Sequence, residues 1–424
     1  MADFSIISLG CPKNLVDSEY IVARLKTNGF EFVNEGRYII VNTCAFIEDA
    51  VRESLDTIIE LGERKAKTNQ RLIVIGCLVE RYRNDVLELL PEVDVFIGRS
   101  HYRFIEKLID KTGIFVSDEP FFETYPRQVL TKPPLAYLKI QEGCDNFCSY
   151  CTIPKIRGSL QCRSPKDILN EFLWLLDAGF KEINIIGQDI TKYGKGVDLD
   201  LTGLLSEMLK ISGNYYIRLL YMHPKGITDD LVDLIAGEER IIKYLDIPIQ
   251  HSEDRILALM NRGYNKRYLI ELIEKIRGKI PSVTLRTSVI VGFPSETEDE
   301  FEALLRFIED WSFDMLGAFM YSREEKTQAA KMKGQLTKKV KIERFNRLME
   351  KQKAISRNRL KRLLNKRTKV IVEEEGHPYM LGRILNQAPS VDGIAFIKGD
   401  AKKGEILDCV VTKTLDYDVV VQVI

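Results

Sequence analysis

Short apolar runs alternate with longer segments of helical periodicity through the first three quarters of the chain. Phe4 to Leu9, Tyr38 to Val41, Arg71 to Ile75 and Val93 to Ile97 read as strands. Between them Asp17 to Asn28, Glu48 to Lys67 and a segment reaching about Leu90 read as helices, with Asp17 as a cap and Gly29 as a stop. Near-continuous apolar strands joined by helices predict a parallel sheet covered on both faces. From Thr131 to Met332 the alternation continues with six strand candidates: Leu135–Ile140, Glu182–Ile186, Tyr216–Leu220, Lys243–Ile247, Thr284–Val291 and Met315–Tyr321. Ser164-Pro165 and the Thr297/Glu300 box mark two helix starts there. Six such units predict an incomplete (β/α)6 barrel, with its chemistry at the carboxyl ends of the strands. After Arg367 the period changes. Thr368–Val372, Tyr379–Ile384, Gly393–Phe396, Glu405–Thr412 and Asp418–Val423 read as short strands of a small antiparallel β-barrel. The expected units are 1–130, 131–335, a helical connector 336–366, and 367–424.

Composition adds limits. A chain of 424 residues fits about three domains. No apolar run is long enough to span a bilayer, and Met1-Ala2-Asp3-Phe4 does not begin a secretory signal, so a cytoplasmic protein is expected. Net charge is zero, with 62 basic and 62 acidic residues. Between Lys338 and Lys369, however, only Glu343 and Glu350 oppose many lysines and arginines. That stretch fits a solvated helix face or contact with ribosomal or transfer RNA phosphates. The small barrel fits an RNA or a protein partner.

Eight cysteines in a chain this long are too few for a disulfide framework, and their clustering suggests metal. Cys144, Cys148 and Cys151 follow the first barrel strand at C-x3-C-x2-C spacing. Three thiolates this close suit three corners of an iron–sulfur cube with one iron open. A zinc knuckle, which wants a fourth ligand, and free thiols are the alternatives. Cys11, Cys44 and Cys77 recur at intervals of 33 residues, each after the carboxyl end of a strand. In an open parallel sheet that edge is where ligands bind, so three loops can bring three thiols together. Three unrelated small residues at tight turns are the plainer alternative. Cys409 reads as core and Cys162 as incidental. Other candidates at or just after barrel-strand ends are Gln188, Asp189, Tyr221, His223, Asp246, Gln250, His251, Gly292, Glu296 and Tyr321, with Arg286 and Ser288 inside the fifth strand; a capping or turn residue is the plainer alternative for each.

The two cysteine sets together resemble the radical S-adenosylmethionine (SAM) methylthiotransferase family, and the small C-terminal barrel resembles its TRAM domain. Ser8-Leu9-Gly10-Cys11-Pro12-Lys13-Asn14-Leu15-Val16-Asp17-Ser18-Glu19 is similar to the branch acting on an aspartate of the twelfth small-subunit ribosomal protein. So are Tyr244-Leu245-Asp246-Ile247-Pro248-Ile249-Gln250-His251, Leu285-Arg286-Thr287-Ser288 and Gly317-Ala318-Phe319-Met320-Tyr321-Ser322-Arg323. The branch acting on transfer-RNA adenosine resembles the chain less at these places. The resemblance implies two [4Fe–4S] clusters, one at Cys144, Cys148 and Cys151 and one at Cys11, Cys44 and Cys77. It implies SAM cleavage to a 5′-deoxyadenosyl radical, hydrogen abstraction from the aspartate β-carbon, sulfur delivered from the second cluster and a methyl group from a second SAM. By that pattern Tyr150 lies near the adenine, Gln188 and Asp189 near the methionine amino group, and Ser288, Gly292 and Glu296 near the nucleoside. His223, His251, Arg286 and Tyr321 are then candidates for substrate contact. An external one-electron reductant, a monomer and contact with ribosomal RNA complete the expectation. A transfer-RNA enzyme and a non-catalytic iron–sulfur carrier or RNA-binding protein are the competing readings. The chain departs from the family pattern at 34–38, which is shorter and less acidic. It also departs at Cys162, where serine is usual, and at Lys326 and Gln328.

Overall fold

The computed structural model describes residues 2–119 and 126–424. The N-terminal sheet is built from β1 (Asp3–Ser8), β2 (Glu31–Phe32), β3 (Tyr38–Thr43), β4 (Arg71–Gly76), β5 (Val95–Ile97) and β6 (Gly113–Phe115), in the order β2-β1-β3-β4-β5-β6. All neighbours are parallel. Alternation along β3 and β4 divides two cores. Ile39, Val41, Leu72 and Val74 pack with Ile58 and Leu61, while Ile40, Ile73 and Ile75 pack with Ile21, Val22 and Leu25. The sheet is therefore covered on both faces, as its apolar strands require.

Two helix boundaries differ from the expectation. The first helix, α1, spans Pro12–Thr27 and starts directly after Cys11. Proline at the first helical position has its φ preset and lacks only an N–H that would be unpaired anyway. Asp17 is therefore no cap but a buried acid inside α1, ion-paired with Lys139 and, at 3.3 Å, with Arg157. The helix expected to reach Leu90 is two, α3 (Cys77–Tyr82) and α4 (Asp85–Leu89), broken where Arg83 takes φ +47°. Between them and β3 lies α2 (Glu48–Lys65).

The middle unit comprises β7 (Leu135–Lys139), the small hairpin strands β8 (Gln141–Glu142) and β9 (Gln161–Cys162), then β10 (Glu182–Ile186), β11 (Tyr216–Leu219), β12 (Ile241–Asp246), β13 (Thr284–Val291) and β14 (Met315–Met320). Six of these form an open parallel sheet in the order β14-β13-β12-β11-β10-β7, an incomplete barrel. Ser164 caps its helix by accepting from Asp167 N–H, and Thr297 with Glu300 forms a complete capping box.

Both flanking units enter the barrel. Val16 of α1 and Ala388 of the C-terminal unit pack with Tyr137, Ile186, Leu220 and Tyr244 on its inner side. The C-terminal unit is a closed barrel of β15 (Arg367–Glu374), β16 (Met380–Ile384), β17 (Ala395–Lys398), β18 (Ile406–Thr414) and β19 (Val419–Val423), antiparallel except where β17 meets β19. Cys409 is in its core. Its loop after β16 is tied to the central barrel by Arg218 Nη2 to Leu385 O at 2.7 Å and Tyr244 Oη to Asp392 at 2.7 Å. A buried triad, Glu182 between Arg218 and Arg383, locks the same junction.

The connector is the helix Lys338–Leu360. Its positive charges are largely matched by acids of this chain: Arg344 by Glu296, Arg347 by Glu298 and Glu302, Lys351 by Glu309 and Arg359 by Asp314. Leu348 and Ile355 bury against the central core. The segment straps the barrel more than it offers a bare basic face. Among the described residues no helix is long and apolar enough to cross a membrane.

Candidate functional site

Three thiols meet at the carboxyl edge of the N-terminal sheet. Cys11 follows β1 across Gly10, whose φ is +81°. A Cβ on Gly10 would lie 2.5 Å from Cys44 Cβ and 2.8 Å from its Sγ, so only glycine allows this approach. Cys44 directly follows β3, with its N–H donating to Ser54 Oγ at 3.1 Å and its carbonyl accepting from the same hydroxyl at 2.8 Å. Cys77 opens α3 behind Gly76 at φ +96°. Asn14 stitches the loops together: its Nδ2 donates to Leu9 O at 3.0 Å and Thr43 O at 2.9 Å, and its Oδ1 lies 3.7 Å from Cys77 Sγ. Burial, then the neighbouring Cys77 and Cys11, pushes the Cys44 thiol up to about 12. Burial likewise raises Cys77. For Cys11 burial is outweighed by Lys13 and Arg157, and the thiol is lowered.

The second triad lies on the loop after β8. Gly143, at φ +75°, has no room for a Cβ against the Ser159 carbonyl. Cys144 N–H donates to Gly158 O at 3.2 Å, Cys151 N–H to Cys148 O at 3.0 Å, and Ser149 N–H to Met260 O at 3.0 Å. The loop is thus held by its own turn and by backbone from elsewhere. Buried Arg262 donates to Cys148 Sγ at 3.3 Å, Tyr150 Oη at 3.4 Å, Pro248 O at 2.7 Å and Tyr264 Oη at 2.8 Å. Burial, then Cys148 and Cys144, pushes Cys151 up to about 12, against a backbone hydrogen bond from Ile153.

Both triads are thiol-only donor sets, a chemistry that suits iron–sulfur ligation. Among the described residues no three His, Cys, Asp or Glu side chains converge on a single ion.

A buried strut joins the triads. Glu142, just before Gly143, accepts from Arg157 Nη1 at 3.1 and 3.0 Å, from Arg99 at 2.8 Å and from Lys139 at 2.9 Å. The other Arg157 nitrogen, Nη2, lies 3.4 Å from Cys77 Sγ. Burial disfavours the Glu142 carboxylate, but Arg157, Arg99 and Lys139 outweigh it and hold its pKa well below the usual range. Gln188 donates to Glu142 as well.

The remaining expected residues fall into distinct settings. Tyr150 packs beside the second triad, its hydroxyl near Arg262. Asp189 accepts from Asn146 Nδ2 at 2.7 Å and from Thr191 Oγ1 at 2.6 Å, which ties it to the cysteine loop. Ser288 is half-buried within β13, its carbonyl accepting from Gln250 N–H at 2.8 Å. Glu296 is wholly committed inside the fold: His251 Nε2 lies 3.0 Å from one oxygen, and Gly292 N–H and Arg344 Nη1 each lie 2.6 Å from the other. His251 is fully buried. His223 is pushed down to about 2 by burial, then by Arg262, so its imidazole is neutral at ordinary pH. Arg286 pairs with Asp392 at 2.6 Å. Tyr321 lies edge-on to Phe293, with Lys341 Nζ 4.9 Å from its ring centre. Lys13, Asn14, Glu142, Arg157 and Arg262 are not singled out by the sequence. The first three lie inside the cysteine-bearing segments, while nothing local marks the two arginines.

Three family models match the chain: uncharacterized protein family UPF0004 at residues 3–98, the radical SAM superfamily at 138–308 and the TRAM domain at 366–424. The chain is 42% identical over 438 residues to the ribosomal protein uS12 methylthiotransferase RimO of Geotalea uraniireducens (strain Rf4), covering 99% of this chain and 98% of that protein. It is 40% identical over 425 residues to the RimO of Thermodesulfovibrio yellowstonii, covering 99% of each. Among solved structures, the radical SAM methyltransferase TsrM from Kitasatospora setae, with cobalamin and a [4Fe–4S] cluster bound, superposes with a TM-score of 0.59 at 14% identity, over 78% of this chain and 77% of that one. The cobalamin-dependent radical SAM enzyme OxsB gives 0.52 at 12% identity, over 84% of this chain and 56% of that one. These two share the fold alone.

Proposed function

The chain belongs to the family of radical SAM ribosomal protein uS12 methylthiotransferases, and from that premise we propose that its two thiol triads hold two [4Fe–4S] clusters serving one aspartate of uS12. It is an enzyme, a methylthiotransferase whose substrate is uS12. The observation that carries the two-cluster reading is the pair of thiol triads joined through one buried strut, Glu142 with Arg157. Bound at Cys144, Cys148 and Cys151, a cluster with SAM supplies hydrogen abstraction, and a cluster at Cys11, Cys44 and Cys77 supplies sulfur.

The work of the protein is placement. Arg262 sets the Cys148 side of the loop against the barrel and offsets thiolate charge there. Asn146 and Asp189 fix the loop to the end of β10. Glu296, held by His251 and Arg344, accepts from Gly292 N–H and so fixes the turn after β13. Residues 385–392 close the barrel from below, and α1 closes its open side, which keeps water from a reactive centre. A monomer served by an external one-electron donor completes the reading. Anaerobic reconstitution, a reductant, SAM and uS12 test the reading. Methylthiolated uS12 is the expected product. A thioether formed on a transfer-RNA anticodon stem-loop, with uS12 unmodified, would replace the substrate.

A further inference from the structure

Ten lysines and arginines are buried among the described residues, and eight of them are ion-paired with a carboxylate. The two exceptions are Lys13 and Arg262, and each lies beside one thiol triad. Arg262 spends its donors on Cys148, Tyr150, Tyr264 and the Pro248 carbonyl. Lys13 does not. Its ammonium sits 3.4 Å from the centre of the Tyr221 ring, and no carboxylate of the described residues reaches it. The nearby acid, Asp246, makes its contacts elsewhere: it accepts from Tyr221 N–H at 3.0 Å and faces Arg286 at 3.7 Å.

A buried cation is costly unless an anion completes it. Cys11, two residues away, offers part of that balance. Lys13 also bridges the two halves of the site, rising from the first turn of α1 onto a tyrosine at the end of β11.

We propose that Lys13 is the positioning and specificity residue that receives the side-chain carboxylate of the substrate aspartate, holding its β-carbon between the two thiol sites. This rests on the reading that an aspartate of uS12 is modified. It explains selection of an acidic side chain over a nucleobase, since a nucleobase brings no anion to an ammonium that lacks a carboxylate partner.

The test uses the reconstituted holoenzyme, as wild type, Lys13→Met and Lys13→Arg, at matched iron content. The ligands are whole uS12 and uS12 with its target aspartate changed to asparagine. A charge-assisted contact is worth about ten- to a hundred-fold in affinity. Lys13→Met should therefore weaken binding of native uS12 by about that factor and leave binding of the asparagine form unchanged, with Lys13→Arg recovering part of the loss. A structural role would not produce that coupling between enzyme and substrate changes. Equal losses for both ligands, no loss for either, or a Lys13→Met chain that takes up no iron would overturn the proposal and leave Lys13 as a counter-charge to Cys11. If wild type does not methylthiolate uS12 at all, the proposed function falls first. If it does and the coupling is absent, this inference falls alone.

Discussion

Replacing Glu182 by glutamine should loosen the C-terminal barrel from the central one more than replacing either arginine it binds. Glu182 and Arg218 are fully buried and Arg383 nearly so. Glu182 accepts from Arg218 Nε at 2.8 Å and Arg383 Nη1 at 3.0 Å. With Glu182→Gln, two guanidiniums share one dry site with no full negative charge, although Arg383 keeps the half-exposed Glu373 at 2.7 Å. Removing one partner of a buried pair costs about 3–5 kcal/mol, and two cations here depend on the same acid. Arg383→Met leaves the Glu182–Arg218 pair whole and strips hydrogen bonds from Glu182 and the Gln387 carbonyl, a loss of about 1–3 kcal/mol. The combined variant Glu182→Met/Arg218→Leu/Arg383→Met removes all three charges at once, and should come close to wild type. Urea titration followed by protease cutting between the connector and β15 reads the undocking directly. The sign of the pH effect follows from the acid. Burial raises Glu182, but Arg383 and Arg218 outweigh it and lower its pKa. Its contribution is thus complete above about pH 4.5 and is lost as pH falls through the depressed value. Arg383→Met costing as much as Glu182→Gln would refute this ranking, as would a junction that weakens on raising the pH from about 5 to about 8.

Three further outcomes are expected. Gly10→Ala forces a side chain into contact with Cys44 at φ +81°, so the chain should keep about half its iron and its SAM cleavage; full iron with normal uS12 modification would count against the site. Arg157→Met removes the donor at 3.4 Å from Cys77 Sγ, and the potential of the cluster retained in a Cys144→Ala/Cys148→Ala/Cys151→Ala background should become more negative, read by redox titration with electron paramagnetic resonance. Arg344→Met leaves Glu296 with His251 and Gly292 only, and should raise the KM for SAM several-fold with little change in iron content, measured by 5′-deoxyadenosine formation.

Two barrel strands are the most legible in the sequence. Glu182–Ile186 and Thr284–Val291 read with their observed bounds, because each is rich in β-branched residues and is bounded by polar or turn residues. The edge strands Glu31–Phe32 and Gly113–Phe115 escape detection, since two or three residues carry no period. Asp17 reads wrongly as a cap because its residue type favours caps; its actual partners, Lys139 and Arg157, lie on another domain. The thiols declare themselves through spacing. The arginines that touch them do not, because Arg157 reaches a cysteine 80 residues away and Arg262 one 114 residues away. The basic connector looks like an RNA surface for the same reason: its acidic partners come from other elements, such as Glu302 and Asp314.

Iron content and product, measured on one preparation, test the two-cluster reading most directly. Full-length wild type and Cys11→Ala/Cys44→Ala/Cys77→Ala are reconstituted side by side and given SAM, reductant and uS12. The triple variant should lose about half the iron, still form 5′-deoxyadenosine, and yield no methylthiolated uS12. Unchanged iron, or methylthiolated uS12 from the variant, would contradict the assignment of a second cluster to these thiols.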